Sequence, residues 1–324
     1  MRKIIGMGNA LVDILVKLPD ESILAELGLK KGSMRLVDLA FSDRVLEKVK
    51  NLHQEVMCGG SASNTVTGLS KLSQHCTFIG KISDDKLGDT FRKDLENNSI
   101  DHQLFIDEPR TGRAIALITP DSERTFATYL GSAVRLSPHE INTEIFEGFD
   151  FFHIEGYLVQ NHDLIEKALA TAKGLGLRTS IDLASFNIVS ENLEFLKTLV
   201  KRYVDIVFAN EEEALAFTGL DPESSVLEIS RMCDIAIVKT GPKGSLISCN
   251  KEVCRIDPIK AEPVDTTGAG DLYAAGFLYG LMNDMDFRKA GEIGSLLAGN
   301  VIEHVGARIP DEKWLEIIKK IQEL

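Results

Sequence analysis

The chain has 324 residues, of which 44% are hydrophobic and 26% are charged, a composition typical of globular proteins with a large core. A formal charge of −13 and a pI near 5.1 argue against a nucleic-acid-binding surface, which would need clustered Lys and Arg. The five cysteines are odd in number and include no Cys-x-x-Cys pair, which argues against a disulfide framework or a structural zinc site. No apolar stretch reaches the length of a membrane span, and the N-terminal residues lack the pattern of a secretory leader, so we expect a cytoplasmic protein.

The first part of the chain mixes two patterns. Helical stretches are predicted around Asp43–Leu52 and Asn64–Leu72, within a region that looks α/β. Two segments, at about residues 11–36 and 104–131, are strand-like, and the second contains the turn signal Pro120-Asp121-Ser122. We expect them to form a small β-sheet, inserted in a single domain of residues 1–324, that acts as a lid and shields a reaction from water. A surface hairpin without such a role is the alternative.

The second part of the chain, from about residue 148, alternates short β-branched or aromatic runs with amphipathic helical patterns. The runs predicted as buried strands are Phe149–Ile154, Arg178–Leu183, Val204–Phe208 and Ile235–Lys239. This alternation predicts a mostly parallel sheet with helices on both faces. Ligands in such folds bind at the carboxyl ends of the strands, where Asp182, Asn210 and Lys239 lie.

The run Asp265-Thr-Thr-Gly-Ala-Gly-Asp271 precedes a small-residue helical pattern. A glycine-rich turn at a helix start can direct backbone N–H groups and the positive end of the helix dipole at a phosphate. A carboxylate beside that phosphate would be repelled if it only served binding, so we interpret Asp271 as the proton acceptor for an attacking hydroxyl. The motif favours phosphoryl transfer to an alcohol, and a capped helix after a loop is the alternative.

A second glycine-rich junction, Gly59-Gly60-Ser-Ala-Ser-Asn64, is predicted to open a helix. Paired glycines let backbone approach a ligand closely, and Asn64 can donate and accept hydrogen bonds, which suits a polyhydroxylated substrate. Asp13 follows the first strand and could accept hydrogen bonds from two vicinal hydroxyls. The alternatives are a tight turn at the glycines and a turn or capping role for Asp13.

Two further segments have both a ligand-binding and a purely structural explanation. Asn210-Glu-Glu-Glu213 could organise magnesium through its water shell, or it could hold acids that favour a helix start. Lys239-Thr-Gly-Pro-Lys-Gly244 could meet nucleotide phosphate or ribose, and a plain turn explains it equally well. The chain has no P-loop motif, and Gly6-x-Gly8 lacks the third glycine of a dinucleotide-binding turn, so ATP would require another architecture.

In their order along the chain, these motifs resemble those of the ribokinase-like, or PfkB, carbohydrate and nucleoside kinases. The resemblance rests on Gly59-Gly60 with Asn64, on Asn210-x-x-Glu213, and on the run from Asp265 to Asp271. It implies a three-layer α/β ribokinase-like fold, with a mostly parallel sheet flanked by helices and a small β-sheet lid. It also implies transfer of the γ-phosphoryl group of ATP, with Mg²⁺, to a hydroxyl of the substrate.

The resemblance implies a role for each matching position. Asp271 is similar to the catalytic base of the family, and the amides of Gly268, Ala269 and Gly270 are similar to its anion hole. The positions that match contacts to the substrate are Asp13, Gly59, Gly60 and Asn64. Those that match contacts to ATP and magnesium are Asn210, Glu213, Lys239, Thr240, Gly241, Gly244 and Asn300. Those that resemble a loop holding a monovalent cation, K⁺, in many members are Asp265, Thr267 and Gly306.

Within the family, stretches such as Gly8-Asn-Ala-Leu-Val-Asp13 and Glu155-Gly-Tyr-Leu158 resemble the adenosine kinase branch. A nucleoside needs a flat apolar slot for its base, in which Tyr157 would stack on the base. The residues proposed to line this slot are Tyr157, Met34, Leu36 and Ala116, for which ordinary core or lid packing is the alternative.

The expected function is therefore an ATP-dependent kinase acting on the ribose 5′-hydroxyl of an adenosine-like nucleoside. A sugar kinase for ribose, fructose or a related ketose is the first alternative, and a non-catalytic nucleotide or sugar sensor is a distant one. We expect no nucleic-acid or membrane partner. The sequence leaves open a monomer or a homodimer paired through the lid.

Overall fold

The computed structural model describes residues 2–121, 123–249 and 252–324. The strands of this part of the chain are β1 (Lys3–Met7), β2 (Leu11–Lys17), β3 (Met34–Leu36), β4 (Gln54–Gly59), β5 (His75–Ile82), β6 (Asp101–Ile106), β7 (Gly112–Ile118), β8 (Arg124–Tyr129), β9 (Phe151–Glu155), β10 (Arg178–Asp182), β11 (Ile206–Asn210), β12 (Ile235–Lys239), β13 (Ser245–Cys249) and β14 (Glu252–Ile256). They form two separate sheets.

The larger sheet has nine strands in the order β14-β13-β12-β11-β10-β9-β1-β5-β6. The seven strands from β12 to β6 are parallel, and β13 and β14 add an antiparallel edge. All five residues of β9 are buried, as are the first four of β12. Such continuous burial explains why these strands read as apolar runs rather than as alternating patterns, since helices cover both faces of a parallel sheet.

The helices occupy both faces of the larger sheet and one face of the smaller sheet. They are α1 (Ser22–Leu27), α2 (Leu39–Val49), α3 (Ser61–Lys71), α4 (Lys86–Asn97), α5 (His162–Gly174), α6 (Phe186–Glu191), α7 (Leu193–Tyr203), α8 (Glu211–Thr218), α9 (Pro222–Ile229), α10 (Ala269–Met282), α11 (Phe287–Val301) and α12 (Asp311–Glu323).

Two hydrophobic clusters cover the larger sheet, one on each face. The first joins α3, α4, α10, α11 and α12, with Phe91 and Phe277 fully buried in it. The second joins the helices from α5 to α9, with Phe152 and Phe217 fully buried. The result is a helix–sheet–helix sandwich, so the predicted three-layer α/β fold with a mostly parallel sheet is confirmed.

The smaller sheet has five strands in the order β3-β8-β7-β2-β4. A third hydrophobic cluster, which includes Ile14 and Ile115, packs one of its faces against α1 and α2. On the other face the register aligns Asp13 with Ala114, Ala114 with Thr128, and Thr128 with Leu36. This face looks toward the carboxyl ends of the larger sheet, since several of its residues share a cavity with those ends.

The strands of the smaller sheet differ in detail from the predicted segments. Residues 104–106 belong to β6 of the larger sheet, whereas β4, which the sequence did not single out, completes the smaller sheet beside β2. Ser122, part of the predicted turn, lies outside the described residues. Among the described helices, none is long and apolar enough to cross a lipid bilayer.

Candidate active site

Four neighbouring parallel strands end in a polar residue. Their last residues are Glu155 in β9, Asp182 in β10, Asn210 in β11 and Lys239 in β12. All four line one cavity of about 1100 Å³, here called the main cavity, which also meets the start of α10 and the smaller sheet. The carboxyl ends of parallel strands are the expected place for a ligand, and this is where the structure puts the main cavity.

The start of α10 forms one wall of the main cavity. Gly268 is the residue before the helix and has a φ of 77°, and a Cβ there would stand 2.4 Å from the Cβ of Ala307. Both the left-handed backbone and the close approach require glycine at this position. Ala269, Gly270 and Asp271 line the cavity, and the Ala269 amide donates to the Thr266 carbonyl at 3.2 Å. The remaining first-turn amides have no acceptor within the helix, which makes the helix start a place for an anion.

The Asp271 carboxylate is fixed by α3. The Ser61 hydroxyl donates to its Oδ1 at 2.7 Å, and the Asn64 side-chain amide donates to its Oδ2 at 2.9 Å. Burial raises the pKa of Asp271 above its ordinary value, and the two hydrogen bonds oppose that rise. Each oxygen keeps a further lone pair, so the carboxylate can still accept a proton from a ligand hydroxyl.

Glu155 fixes the start of α3. Its fully buried carboxylate accepts from the backbone and side-chain amides of Asn9 at 2.9 and 2.7 Å, and from the Ala62 amide at 3.1 Å. Burial raises the pKa of Glu155 to about 7, against the effect of these hydrogen bonds. Glu155 therefore ties the end of β1 and the beginning of α3 to the centre of the larger sheet.

Lys239 and Asp182 form a nearly buried ion pair on the floor of the main cavity. The Lys239 ammonium lies 2.6 Å from Asp182 Oδ2, while Asp182 Oδ1 accepts from the Ala184 amide at 3.0 Å. A Cβ on Gly270 would stand only 2.9 Å from Lys239 Nζ, so glycine lets the ammonium lie against the start of α10. The pair thus places a positive charge beside the proposed anion site.

Asn210 and Glu213 bind each other across the first turn of α8. The Asn210 backbone and side-chain amides donate to the two Glu213 oxygens at 2.8 and 2.7 Å, and the Glu213 amide donates to Asn210 Oδ1 at 2.8 Å. Burial raises the pKa of Glu213 to about 7, with the Asp182 charge adding to the rise. Among the described residues no cluster of three or more His, Cys, Asp or Glu is placed to hold a metal ion. Because magnesium keeps several waters in proteins, this pair suits contact with its water shell rather than direct ligation.

The three residues of the predicted cation loop meet outside the main cavity. Asp265 Oδ1 accepts from the Thr267 amide and hydroxyl at 3.1 and 2.8 Å, and its Oδ2 accepts from the Gly306 amide at 2.5 Å. The Arg124 guanidinium, from β8 of the smaller sheet, lies 2.6 Å from the same Oδ2. Arg124 therefore neutralises the charge of Asp265, the carboxylate expected to bind the cation. The same ion pair joins the smaller sheet to the loop before α10.

The predicted base slot is partly assembled. Met34, Leu36 and Tyr157 line the main cavity, and the Tyr157 hydroxyl donates to the Ala184 carbonyl at 3.3 Å. Ala116 is fully buried in the smaller sheet and does not line the cavity, whereas Ala114, two residues earlier on the same strand face, does. Met34 and Leu36 are more than half exposed, so their apolar side chains are accessible to a ligand in the cavity.

The structure separates the predicted ligand contacts into two groups. Gly60, Gly241 and Gly244 line the main cavity with the residues described above. The predicted ligand contacts that do not line it are Asp13, Gly59, Asn64, Thr240, Gly268 and Asn300. The Thr240 hydroxyl donates to the Gly244 carbonyl within its own turn, and the Asn300 amide donates to the Leu296 carbonyl of its own helix.

Asp13 and Gly59 lie on neighbouring strands, β2 and β4, at the edge of the site. Burial raises the pKa of Asp13 to about 7, and the positive charges of Arg308 and Arg124 oppose the rise. The Arg308 guanidinium also lies 3.0 Å from Asp94 and donates to the Cys58 carbonyl at 3.4 Å. Asp13 is thus a largely buried carboxylate near two arginines.

Four polar residues of the site were missed as site residues by sequence reasoning. Ser61, Arg124 and Glu155 stand inside segments that the sequence singled out, and Asp182 was noticed only as a strand end. Nothing in the local pattern gives their partners, which lie 93 to 210 positions away for Ser61, Arg124 and Glu155. The sequence signals that could have identified them are an acidic residue at a strand end, as for Glu155 and Asp182, and a hydroxyl residue beside a Gly-Gly pair, as for Ser61.

Comparisons with known proteins identify similar kinases. An adenosine kinase from Schizophyllum commune is 24% identical over 343 residues, covering 97% of this chain and 98% of the relative. Among solved structures, the adenosine kinase of Sinorhizobium meliloti is 32% identical with a TM-score of 0.86, and 99% of each chain is covered. A probable sugar kinase from Rhizobium etli CFN 42 is 30% identical with a TM-score of 0.88, covering 100% of this chain and 99% of the other.

The sequence model described as pfkB family carbohydrate kinase matches residues 33–314, most of the chain. Phosphotransferases of this family act on an alcohol group, which agrees with a carboxylate beside an anion-binding helix start. The predicted family and enzyme class are confirmed, and the chain belongs to the pfkB family of carbohydrate kinases.

Proposed function

We propose that this kinase transfers the γ-phosphoryl group of ATP to the ribose 5′-hydroxyl of an adenosine-like nucleoside. The observation that carries the proposal is the Asp271 carboxylate, buried and oriented by two hydrogen bonds, in a cavity shared with an anion-binding helix start and an apolar wall. Asp271 would take the proton of the acceptor hydroxyl as the oxygen attacks phosphorus. A raised pKa suits this role, because a general base works best when its pKa lies near the working pH.

The phosphoryl group would lie at the start of α10, beside Gly270 and Asp271. As a member of its family the chain uses ATP, usually with Mg²⁺, and the bound nucleotide supplies the group that is transferred. The nucleotide would lie in the part of the main cavity lined by the loop Pro258–Pro263 and α11, with Gly241 and Gly244 nearby. Asn210 and Glu213 would contact the water shell of the magnesium ion. With these groups fixed in advance, catalysis consists mainly of positioning and electrostatic stabilisation.

The acceptor would lie between the smaller sheet and the end of β9. An apolar surface there is formed by Tyr157, Met34 and Leu36. A nucleobase would cover this surface, whereas a free sugar would leave it exposed to solvent. Asp13, Gly59 and Gly60 stand at the sugar end, with Asn64 acting through Asp271. Two similar proteins, from S. commune and S. meliloti, are adenosine kinases, which supports the nucleoside. The smaller sheet would act as a lid that excludes water from the transfer.

A sugar kinase is the second candidate, because the R. etli relative is a probable sugar kinase with a similar fold over the whole chain. The two candidates share the phosphoryl-transfer residues and differ in what covers Met34 and Leu36.

The experiment that separates them measures ADP release from MgATP with nucleosides and with free ribose and fructose as acceptors. We expect adenosine to be the best acceptor, and Tyr157→Ala to reduce turnover of adenosine more than turnover of any sugar. The variant Tyr203→Ala, a partly buried tyrosine of α7 that does not line the cavity, is the matched control. Equal losses on both acceptor classes would count against stacking of a base on Tyr157.

A further inference from the structure

Phosphate binding in the main cavity poses a charge problem. Five acidic side chains line the cavity: Glu155, Asp182, Glu191, Glu213 and Asp271. Within the described part of the chain, the basic side chains that line it are Lys239 and Lys260, and Lys260 is exposed on the loop before α10. A phosphoryl group at the start of α10 would therefore lie near several acidic side chains. The Lys239 ammonium is placed to compensate the resulting repulsion.

Two features on opposite sides of Lys239 set the position of its ammonium, a contact with Asp182 and the open space beside Gly270. Asp182 Oδ2 holds the ammonium from one side at 2.6 Å. On the other side the backbone of Gly270 leaves the space where a Cβ would come within 2.9 Å of the same nitrogen. Lys239 and Asp182 are the last residues of strands separated by β11, so the larger sheet keeps the two groups at a fixed spacing.

The second oxygen of Asp182 is also engaged. It accepts from the Ala184 amide at 3.0 Å, and the side chain is 8% exposed. Asp182, the last residue of β10, is therefore held by the backbone of the turn that follows the strand. A carboxylate held in this way fixes the direction of the lysine, which on its own has four flexible bonds.

We infer that Asp182 is a positioning residue that holds the Lys239 ammonium against the start of α10, where it contacts the phosphoryl group being transferred. The inference rests on the proposed function, which places the phosphoryl group at the start of α10. It adds Asp182, which the sequence motifs do not contain, and it assigns contact with the phosphoryl group to Lys239 and positioning to Asp182. In this arrangement Asp182 acts only through Lys239. A side chain at position 270 would displace the ammonium from this place, since its Cβ would stand 2.9 Å from Nζ.

The test compares Lys239→Met, Asp182→Asn and the double variant. Lys239→Met should lower kcat roughly 10²-fold, in the range found for loss of one transition-state donor, with a small change in the KM of the acceptor. Asp182→Asn should lower kcat by a smaller factor. The double variant should be no slower than Lys239→Met, because Asp182 has nothing to position once the ammonium is gone. Losses that multiply, or an Asp182→Asn enzyme as fast as the wild type, would overturn the inference.

Chemical rescue tests the contact independently of folding. Ethylammonium added to Lys239→Ala should restore part of kcat, and it should restore less in Lys239→Ala combined with Asp182→Asn. Lys243→Met, an exposed lysine four residues later in the same turn, is the control and should keep the wild-type kcat. No rescue in a variant whose far-UV circular dichroism matches the wild type would contradict the contact.

Nucleotide binding distinguishes a failure of this inference from a failure of the proposed function. Calorimetric titration needs no acceptor, so it can be read even if no nucleoside or sugar releases ADP. Lys239→Met should weaken MgATP binding about tenfold more than MgADP binding, since the ammonium meets the terminal phosphoryl group. Equal weakening of both nucleotides would mean that Lys239 meets another part of the nucleotide, and the inference would then fall.

Discussion

Asp271 has both of its oxygens held before any ligand arrives, and neither donor belongs to the smaller sheet. Asp271→Asn should lower kcat by roughly two to four orders of magnitude, the usual contribution of a general base, and should leave MgATP affinity largely intact. Steady-state kinetics with ADP detection and a nucleotide titration check both parts. The control is Asp284→Asn, an exposed carboxylate just beyond the carboxyl end of α10 that pairs with Arg2. An Asp271→Asn enzyme with near-normal kcat would remove Asp271 as the base.

Asp13 gives a pH dependence whose sign follows from its raised pKa. Its pKa is about 7 in the folded protein and 3.8 as the ordinary value, so between these two pH values the folded state binds more protons than the unfolded state. The stability that Asp13 contributes is therefore complete below pH 4 and is lost as the pH rises through 7. Asp13→Asn should remove this loss. Its free energy of unfolding should exceed that of the wild type by up to about 4 kcal/mol more at pH 8 than at pH 4, since the pKa differs by about 3 units and each unit corresponds to about 1.4 kcal/mol.

Urea unfolding at pH 4, 6 and 8 measures this difference. Asp150→Asn, at the amino end of β9, provides the comparison, because its carboxylate accepts from the Lys3 amide at the far end of the sheet. Parallel pH profiles for wild type and Asp13→Asn would show that Asp13 does not carry the linkage.

At the scale of elements, the contact between β8 and the loop before α10 depends on Arg124 and Asp265. Both side chains are nearly buried, so removing the cation leaves a carboxylate without its partner, which costs more than loss of an exposed pair. In the wild type the Asp265 charge is already neutralised, and we expect K⁺ to change kcat less than twofold, in contrast to the cation loop that the family resemblance suggests. Arg124→Ala should lower kcat and make the enzyme K⁺-responsive.

Activity assays in potassium and in tetramethylammonium salts at equal ionic strength check this prediction. Arg202→Ala, an exposed arginine of α7 paired with Glu166, controls for a general loss of positive charge. A wild-type enzyme that depends strongly on K⁺ would show that Arg124 leaves Asp265 during the reaction.

At the scale of the whole molecule, a nucleoside that fits between the two sheets should stabilise both together. A ligand that binds only the folded state at 100 times its dissociation constant adds about 2.7 kcal/mol to the free energy of unfolding. Adenosine should therefore raise the midpoint of thermal unfolding, and ribose at the same concentration should not. Hydrogen exchange should slow in β7 and β8 on adenosine binding, while β9 to β12, already buried, change little. Protection by ribose alone would favour the sugar kinase.

Strands β9 to β12 of the larger sheet could be predicted from the sequence because they carry their own signal. In the run Ile235–Lys239 the first four residues are apolar and the last is charged, and the structure places β12 at the same residues. Strand β4 gave no such signal. It is a short edge strand with exposed Glu55 and Val56, and it forms only because β2, about forty residues earlier in the chain, offers a ladder of hydrogen bonds.

The motifs of the site could be predicted from the sequence, but the hydrogen-bond partners of its side chains could not. Asp271 and Gly268 follow from a local run of seven residues whose chemistry can be read directly. Asn64 was expected to contact substrate, and the structure places its amide on Asp271, 207 positions away. The partner of a hydrogen-bond donor depends on how the helices pack, and no local pattern contains that information.

The two sheets supply different parts of the main cavity. Glu155, Asp182 and Lys239 belong to the larger sheet, and Met34 and Leu36 belong to a three-residue strand of the smaller one. In evolutionary terms the proposed acceptor surface is modular. Substitutions of its cavity-lining residues, such as Met34 and Leu36 on β3 and Ala114 on β7, would change the acceptor that fits while leaving Glu155, Asp182 and Lys239 of the larger sheet in place. We therefore expect that a lineage can exchange nucleosides for sugars through a few changes in the smaller sheet, which fits the comparable similarity of this chain to an adenosine kinase and to a probable sugar kinase.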